Sequence, residues 1–109
     1  MKIIILGSAK VSQSLACELV DEGHDVTVVS DNRSELKSMQ QAYDIRTISG
    51  RPSYPDVLRR ARADKADILI AVTNSDEVNM IACQAGYSLF KVPLKIAKIR
   101  SPKNYFHLL

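Results

Sequence analysis

Five short runs of branched apolar residues alternate with stretches of helical periodicity along this chain, and that alternation restricts its fold more than any other feature. The runs are Lys2–Leu6 (KIIIL), Asp25–Val29 (DVTVV), Ile45–Ile48 (IRTI), Asp67–Val72 (DILIAV) and Leu94–Ile99 (LKIAKI). Each has strand length. The first and fourth are apolar on consecutive residues, as strands covered on both faces must be. Between the runs, apolar residues recur at three- and four-residue spacing. Lys10–Glu22 carries Val11, Leu15, Leu19 and Val20 and stops at Gly23, a residue that ends helices readily. A cap at Ser34 opens a helix containing Leu36 and Met39; a cap at Ser53, with Pro55 in the first turn, opens another with Val57, Leu58 and Ala61. Asp76 and Glu77 open the longest, with Val78, Ile81, Ala82, Ala85 and Leu89. Strict alternation of this kind predicts parallel strands joined by right-handed crossovers. The fold class is therefore α/β, a doubly wound parallel sheet of Rossmann type, of about five strands plus a C-terminal stub.

At 109 residues the chain has room for one domain, and its 46% apolar and 25% charged composition is that of an ordinary globule. A cofactor domain and a separate substrate domain would not both fit, which argues against a complete dehydrogenase. Ser101-Pro102 predicts the start of a further helix, and no sixth strand is foreseen where this sheet type ordinarily has one. The expectation is that residues 1–109 form a single domain, the N-terminal part of a longer protein, with the fifth strand an open edge on which a second copy pairs. The longest apolar runs fall far short of the roughly 20 residues that span a bilayer, and no secretory signal is read, so a cytoplasmic location is expected. Cys17 and Cys83 lack C-x-x-C spacing and fit helix interiors as reduced thiols. The net charge of +3 is mild. Arg59, Arg60 and Arg62 lack interleaved aromatics and are followed by Asp64 and Asp67, as on a solvated helix face and not on a nucleic-acid surface.

Sheets of this kind bind ligands outside the carboxyl ends of the strands, where strand order reverses, here between the first and fourth strands. The loop after the first strand reads Gly7-Ser8-Ala9-Lys10-Val11-Ser12, or G-x-A-x-x-S against the dinucleotide pattern G-x-G-x-x-G. Gly7 keeps the tight turn, and the following helix N-terminus offers N–H groups to a pyrophosphate. Ala9 and Ser12 put a methyl and a hydroxymethyl where glycines ordinarily stand. Ser30 occupies the place of the acid that usually holds the adenosine ribose, and Asp31 falls one residue late. Three alternatives stay open: Asp31 as ribose ligand, Ser30 with Arg33 as a site for the 2′-phosphate of NADP, and a plain polar turn. Thr73 and Asn74 face the first loop across the crevice, while Lys98 and Arg100 are cations within reach of a phosphate or of Glu77. Asp76 and Glu77 are equally explained by helix capping. No Ser/His/Asp set and no H-E-x-x-H motif occurs, and His24 and His107 read as surface residues. No proton donor or substrate pocket for hydride transfer can be named.

MKIIILG at the start, ADILIAVTNSDEVNMIACQ from Ala66 and IAKIRSP from Ile96 resemble the Trk-type potassium uptake regulators, and the resemblance runs along nearly the whole chain. It implies a non-enzymatic cytoplasmic subunit, peripheral to the inner face of the membrane, docked on a membrane potassium-translocating subunit. It further implies assembly as a homo-oligomer, a dimer or tetramer, and binding of NAD or NADH, or in some cases ATP or ADP. The contacts it implies are Gly7, Ser8, Ala9, Lys10 and Val11, the residue at 30, Thr73 and Asn74, and the basic residue at 98. The family usually has glycine at positions 9 and 12, aspartate at 30 and often arginine at 98, so Ala9, Ser12, Ser30 and Lys98 depart from it. Altered nucleotide binding competes with a scaffold domain that has lost its dinucleotide and with a fragment of an NAD(P)-dependent oxidoreductase.

Overall fold

The computed structural model describes residues 1–100 and the strand Tyr105–Leu108. Its elements in chain order are β1 (Lys2–Leu6), α1 (Lys10–Asp21), β2 (Asp25–Ser30), α2 (Arg33–Ala42), β3 (Arg46–Ser49), α3 (Pro55–Arg60), β4 (Ile68–Ala71), α4 (Asp76–Ser88), β5 (Leu94–Ile99) and β6 (Tyr105–Leu108). The sheet order is β3-β2-β1-β4-β5-β6. The first five strands are parallel, with Leu6 opposite Val29 on one side and Ala71 on the other. The doubly wound sheet predicted from the alternation is therefore the fold.

Strand alternation sends neighbouring side chains to opposite faces, and two cores result. Ile4, Leu6, Val29, Leu69 and Ala71 pack under α3 and α4 with Val57, Leu58, Ala82 and Cys83. Ile3, Ile5, Val26, Val28, Ile70 and Val72 pack under α1 and α2 with Ala16, Leu36 and Met39. Gly86 lets α4 lie close on the sheet: a Cβ there would come within 2.8 Å of Leu69 Cδ2.

Three expectations are corrected. The helix read from Ser101-Pro102 begins outside the described residues, and Tyr105–Leu108 is a strand, antiparallel to β5 with Tyr105 opposite Ile99. The fifth strand is consequently not the open edge foreseen, and the reason given for self-pairing there falls away. The caps of α2 and α3 also lie elsewhere. Asn32, not Ser34, caps α2, its side chain accepting from the Glu35 N–H at 3.1 Å. Tyr54, without a side-chain cap, precedes Pro55 in α3. Asn and Ser cap equally well; Asn32 takes the role because it is the last extended residue as the chain leaves β2, which sets its side chain against the N–H groups of the first turn.

Candidate functional site

At the carboxyl ends of β1, β2 and β4 an open cleft of about 390 Å³ is lined by Gly7, Ser8, Ala9, Ser30, Asp31, Asn32, Glu35, Pro52, Val72, Thr73, Asn74, Ser75 and Val78. The strand-order reversal between β1 and β4 creates it. Gly7 makes the floor possible. Its φ of +114° suits glycine alone, and a Cβ there would sit 3.1 Å from the Val72 carbonyl oxygen. Ala9 is the N-cap of α1, with φ −77° and ψ −173° and no side chain able to cap. Because Gln13 N–H makes the first bond of the helix, to Ala9 O at 3.0 Å, the N–H groups of residues 10–12 have no helical acceptor. That end of α1 carries partial positive charge and suits an anion.

The β2 side is polar through a chain of hydroxyls. The Asn32 N–H donates to Ser30 Oγ at 3.0 Å, Ser30 and Ser8 share a bond of 2.8 Å, and Ser8 Oγ donates to Glu35 Oε1 at 2.6 Å. A carboxylate only accepts, so the Ser8 hydrogen must point to Glu35, and the Ser30 hydrogen must then point to Ser8. Ser30 and Ser8 are buried, Glu35 is half-buried, and Asp31 is exposed.

The β4 side is held by Asn79, which is fully buried. Its Oδ1 accepts from the Thr73 N–H at 2.9 Å and the Thr73 hydroxyl at 2.6 Å. Its amide donates to the Thr73 carbonyl at 3.1 Å and the Lys98 carbonyl at 2.9 Å. One side chain thus ties the ends of β4 and β5 to α4. Arg100 donates to the Asn74 carbonyl at 2.8 Å, while its own N–H donates to Asp76.

Of the residues singled out from sequence, Gly7, Ser8, Ala9, Ser30, Asp31, Thr73 and Asn74 line this cleft. Lys10 and Val11 instead line a shallow depression along α1, so only their backbone N–H groups address the cleft end of the helix. Lys98 lies on β5 outside the lining, its carbonyl engaged by Asn79. Arg33 turns away, its Nε donating to Ser49 Oγ at 3.2 Å, and does not join Ser30. Sequence reasoning missed Glu35 as a lining residue and Asn79 as the clamp. For Asn79 a signal existed: it shares the buried stripe of Ala82, Cys83 and Gly86, and a polar side chain on such a stripe must find partners. For Glu35 the pattern Asn32-x-x-Glu35 reads as a capping box, which conceals the carboxylate's other use. Among the described residues no group of three His, Cys, Asp or Glu side chains could hold a metal, and no helix is long and apolar enough to cross a membrane.

The family model of the TrkA-N domain matches residues 3–108. The Trk system potassium uptake protein TrkA of Vibrio alginolyticus is 50% identical over 103 residues, 94% of this chain and 22% of that protein. The protein of the same name from Halomonas elongata is 52% identical over 101 residues, 93% of this chain and 22% of the relative. The chain thus spans about a fifth of the length of these curated relatives. Among solved structures, the GsuK channel bound to NAD superposes with a TM-score of 0.73 at 26% identity, over 84% of this chain and 17% of that one.

Proposed function

The chain belongs to the TrkA-N domain family, and from that premise we propose that it binds an NAD-type nucleotide in the cleft and acts as a regulatory domain of a potassium uptake system. The observation that carries the reading is one juxtaposition. The uncapped N-terminus of α1, the Gly7 turn and a polar rim at the end of β2 face a single open cleft. A helix N-terminus suits the pyrophosphate, and the Ser8–Ser30–Glu35 chain suits sugar hydroxyls. The likeness to a channel solved with NAD favours NAD or NADH over ATP, ADP or NADP. Bound nucleotide supplies no chemistry here. It acts by binding two states of an assembly with different affinity, since a ligand that binds both equally shifts nothing. The assembly proposed is a homo-oligomer, dimer or tetramer, of a longer protein in which residues 1–109 form one domain. It is cytoplasmic and docked on a membrane potassium-translocating subunit, a reading supported by the potassium uptake for which the curated relatives are named.

The test is thermal unfolding of the chain with NAD, NADH, NADPH, ATP and ADP, beside the variant Ala9→Asp. Ligand at 100 times its dissociation constant adds about 2.7 kcal/mol of stability. The Ala9 backbone already has cap geometry, so an aspartate there caps α1 and raises ligand-free stability by about 0.5–2 kcal/mol. Its carboxylate also occupies the anion site, so the nucleotide effect should vanish. Wild-type chain indifferent to every nucleotide would sink the proposal, and an Ala9→Asp variant that still responds would move the phosphate away from α1.

A further inference from the structure

From the hydroxyl chain at the end of β2 we infer that Glu35 is the ribose-binding and specificity-determining residue of this cleft. It replaces the acid absent at position 30 and restricts the ligand to nucleotides with a free 2′-hydroxyl. The inference rests on the proposed nucleotide site and adds its selectivity.

Three features turn Glu35 toward the ligand. First, it stands in the opening turn of α2, on the face of the sheet to which Ser30 points. Ser30 follows Val26 and Val28 in alternation, and both of those pack under α1 and α2. Second, the capping box that would occupy its carboxylate is only half made. Asn32 Oδ1 accepts from the Glu35 N–H, but the reciprocal donor, the Asn32 N–H, is taken by Ser30 Oγ at 3.0 Å. Ser30 therefore releases the carboxylate that an ordinary box would bind. Third, every hydrogen in the chain from Asn32 through Ser30 and Ser8 points toward Glu35 Oε1. Among the described residues Glu35 Oε2 has no hydrogen-bond partner. The half-buried carboxylate thus lines the cleft with an oxygen ready to accept. Two ribose hydroxyls are donors that suit it. A 2′-phosphate is not, because it would set its negative charge against Glu35 with Asp31 close by. Arg33, the cation read with Ser30 as a 2′-phosphate site, is engaged with Ser49.

The experiment is calorimetric titration of NADH and NADPH, and of ADP and 2′-deoxy-ADP, into wild type and Glu35→Gln. The glutamine keeps an oxygen for the Ser8 hydroxyl and removes the charge. A hydrogen bond to a charged group corresponds to roughly tenfold to hundredfold in affinity. Wild type should favour NADH over NADPH by at least about tenfold, and ADP over its 2′-deoxy form by a similar factor. Glu35→Gln should weaken NADH and ADP by about tenfold, bind NADPH no worse than wild type, and lose most of the ADP preference. Wild type that binds NADH while Glu35→Gln keeps both preferences overturns the role of Glu35 and leaves the nucleotide site standing. Wild type that takes up none of the four overturns the site and this inference together.

Discussion

Replacing Asn79 with aspartate changes one NH2 to oxygen, and the structure fixes what that oxygen meets. The amide nitrogen lies 3.1 Å from the Thr73 carbonyl and 2.9 Å from the Lys98 carbonyl, both acceptors. The other atom, Oδ1, already accepts twice from Thr73. A protonated carboxyl could satisfy one of the two carbonyls and would strand the other, at about 1–3 kcal/mol for a buried unpaired group. An ionised carboxylate would strand both and carry a charge at a site with no exposure. The introduced group must therefore hold its proton above the ordinary carboxyl value of about 3.9. The native state then binds a proton that the unfolded chain gives up. The variant is best tolerated below about pH 3.9 and loses stability as pH rises through the raised value, at about 1.4 kcal/mol for each pH unit of displacement. Urea unfolding of wild type and Asn79→Asp across pH 4 to 8 reads this as a difference, in which the chain's other carboxyls largely cancel. We expect the gap to open from about 1–3 kcal/mol at the acid end to several kcal/mol at neutrality, a large part of a typical domain's 5–15 kcal/mol. A gap independent of pH, or below about 1 kcal/mol throughout, would refute the clamp as described.

Two further perturbations have determined signs. Ser12 Oγ is buried and, among the described residues, has no hydrogen-bond partner, so Ser12→Ala should stabilise the chain by about 1 kcal/mol, seen as a rise of several degrees in Tm; a fall would mean that the hydroxyl has a partner after all. Burial pushes the Cys83 thiol up to about 11 from 9.0, with Lys95 pulling weakly the other way. In the native chain Cys17, half-buried, should therefore react with a thiol reagent well before Cys83. The folded chain keeps the Cys83 proton longer than the unfolded chain does, so this contribution to stability is full below pH 9 and lost as pH rises through about 11. Cys83→Ala should flatten that part of the stability profile, and an unchanged alkaline slope would show that the thiol is not its source.

The sheet was legible because its signal is periodic and local. Runs such as Ile3–Leu6 and Leu69–Val72 are apolar on consecutive residues, a pattern that only strands covered on both faces sustain. The position of the cleft followed from topology alone, since β1 and β4 are neighbours whose crossovers leave in opposite directions. What failed was local competition between equivalent signals. Asn32 and Ser34 are both good caps two residues apart, and only the path of the chain out of β2 decides between them. The strand at Tyr105–Leu108 follows a Ser-Pro pair that also begins helices, so sequence alone could not tell a returning antiparallel strand from a further helix.

The cleft's chemistry was half legible for a different reason. Motif reading assigns a role to a position, whereas the fold assigns it to a point in space, and in this cleft the two diverge at β2. Position 30 holds a serine where the dinucleotide motif asks for an acid, which by the motif alone counts as erosion. Yet the hydroxyl that stands there removes the Asn32 N–H from competition and so leaves a carboxylate five residues later lining the same cleft. The exchange depends on three contacts among the ends of β1 and β2 and the start of α2; none is periodic, and two of them, Ser8 with Ser30 and Ser8 with Glu35, join residues far apart in sequence. Ala9 follows the same logic: an uncapped N-terminus is a weakness for α1 taken alone, but it leaves unpaired N–H groups where an anion would bind. Departures that open hydrogen-bonding capacity toward a cleft are the opposite of what drift into a packed scaffold should leave. They favour a site whose recognition has been rearranged over one that has closed.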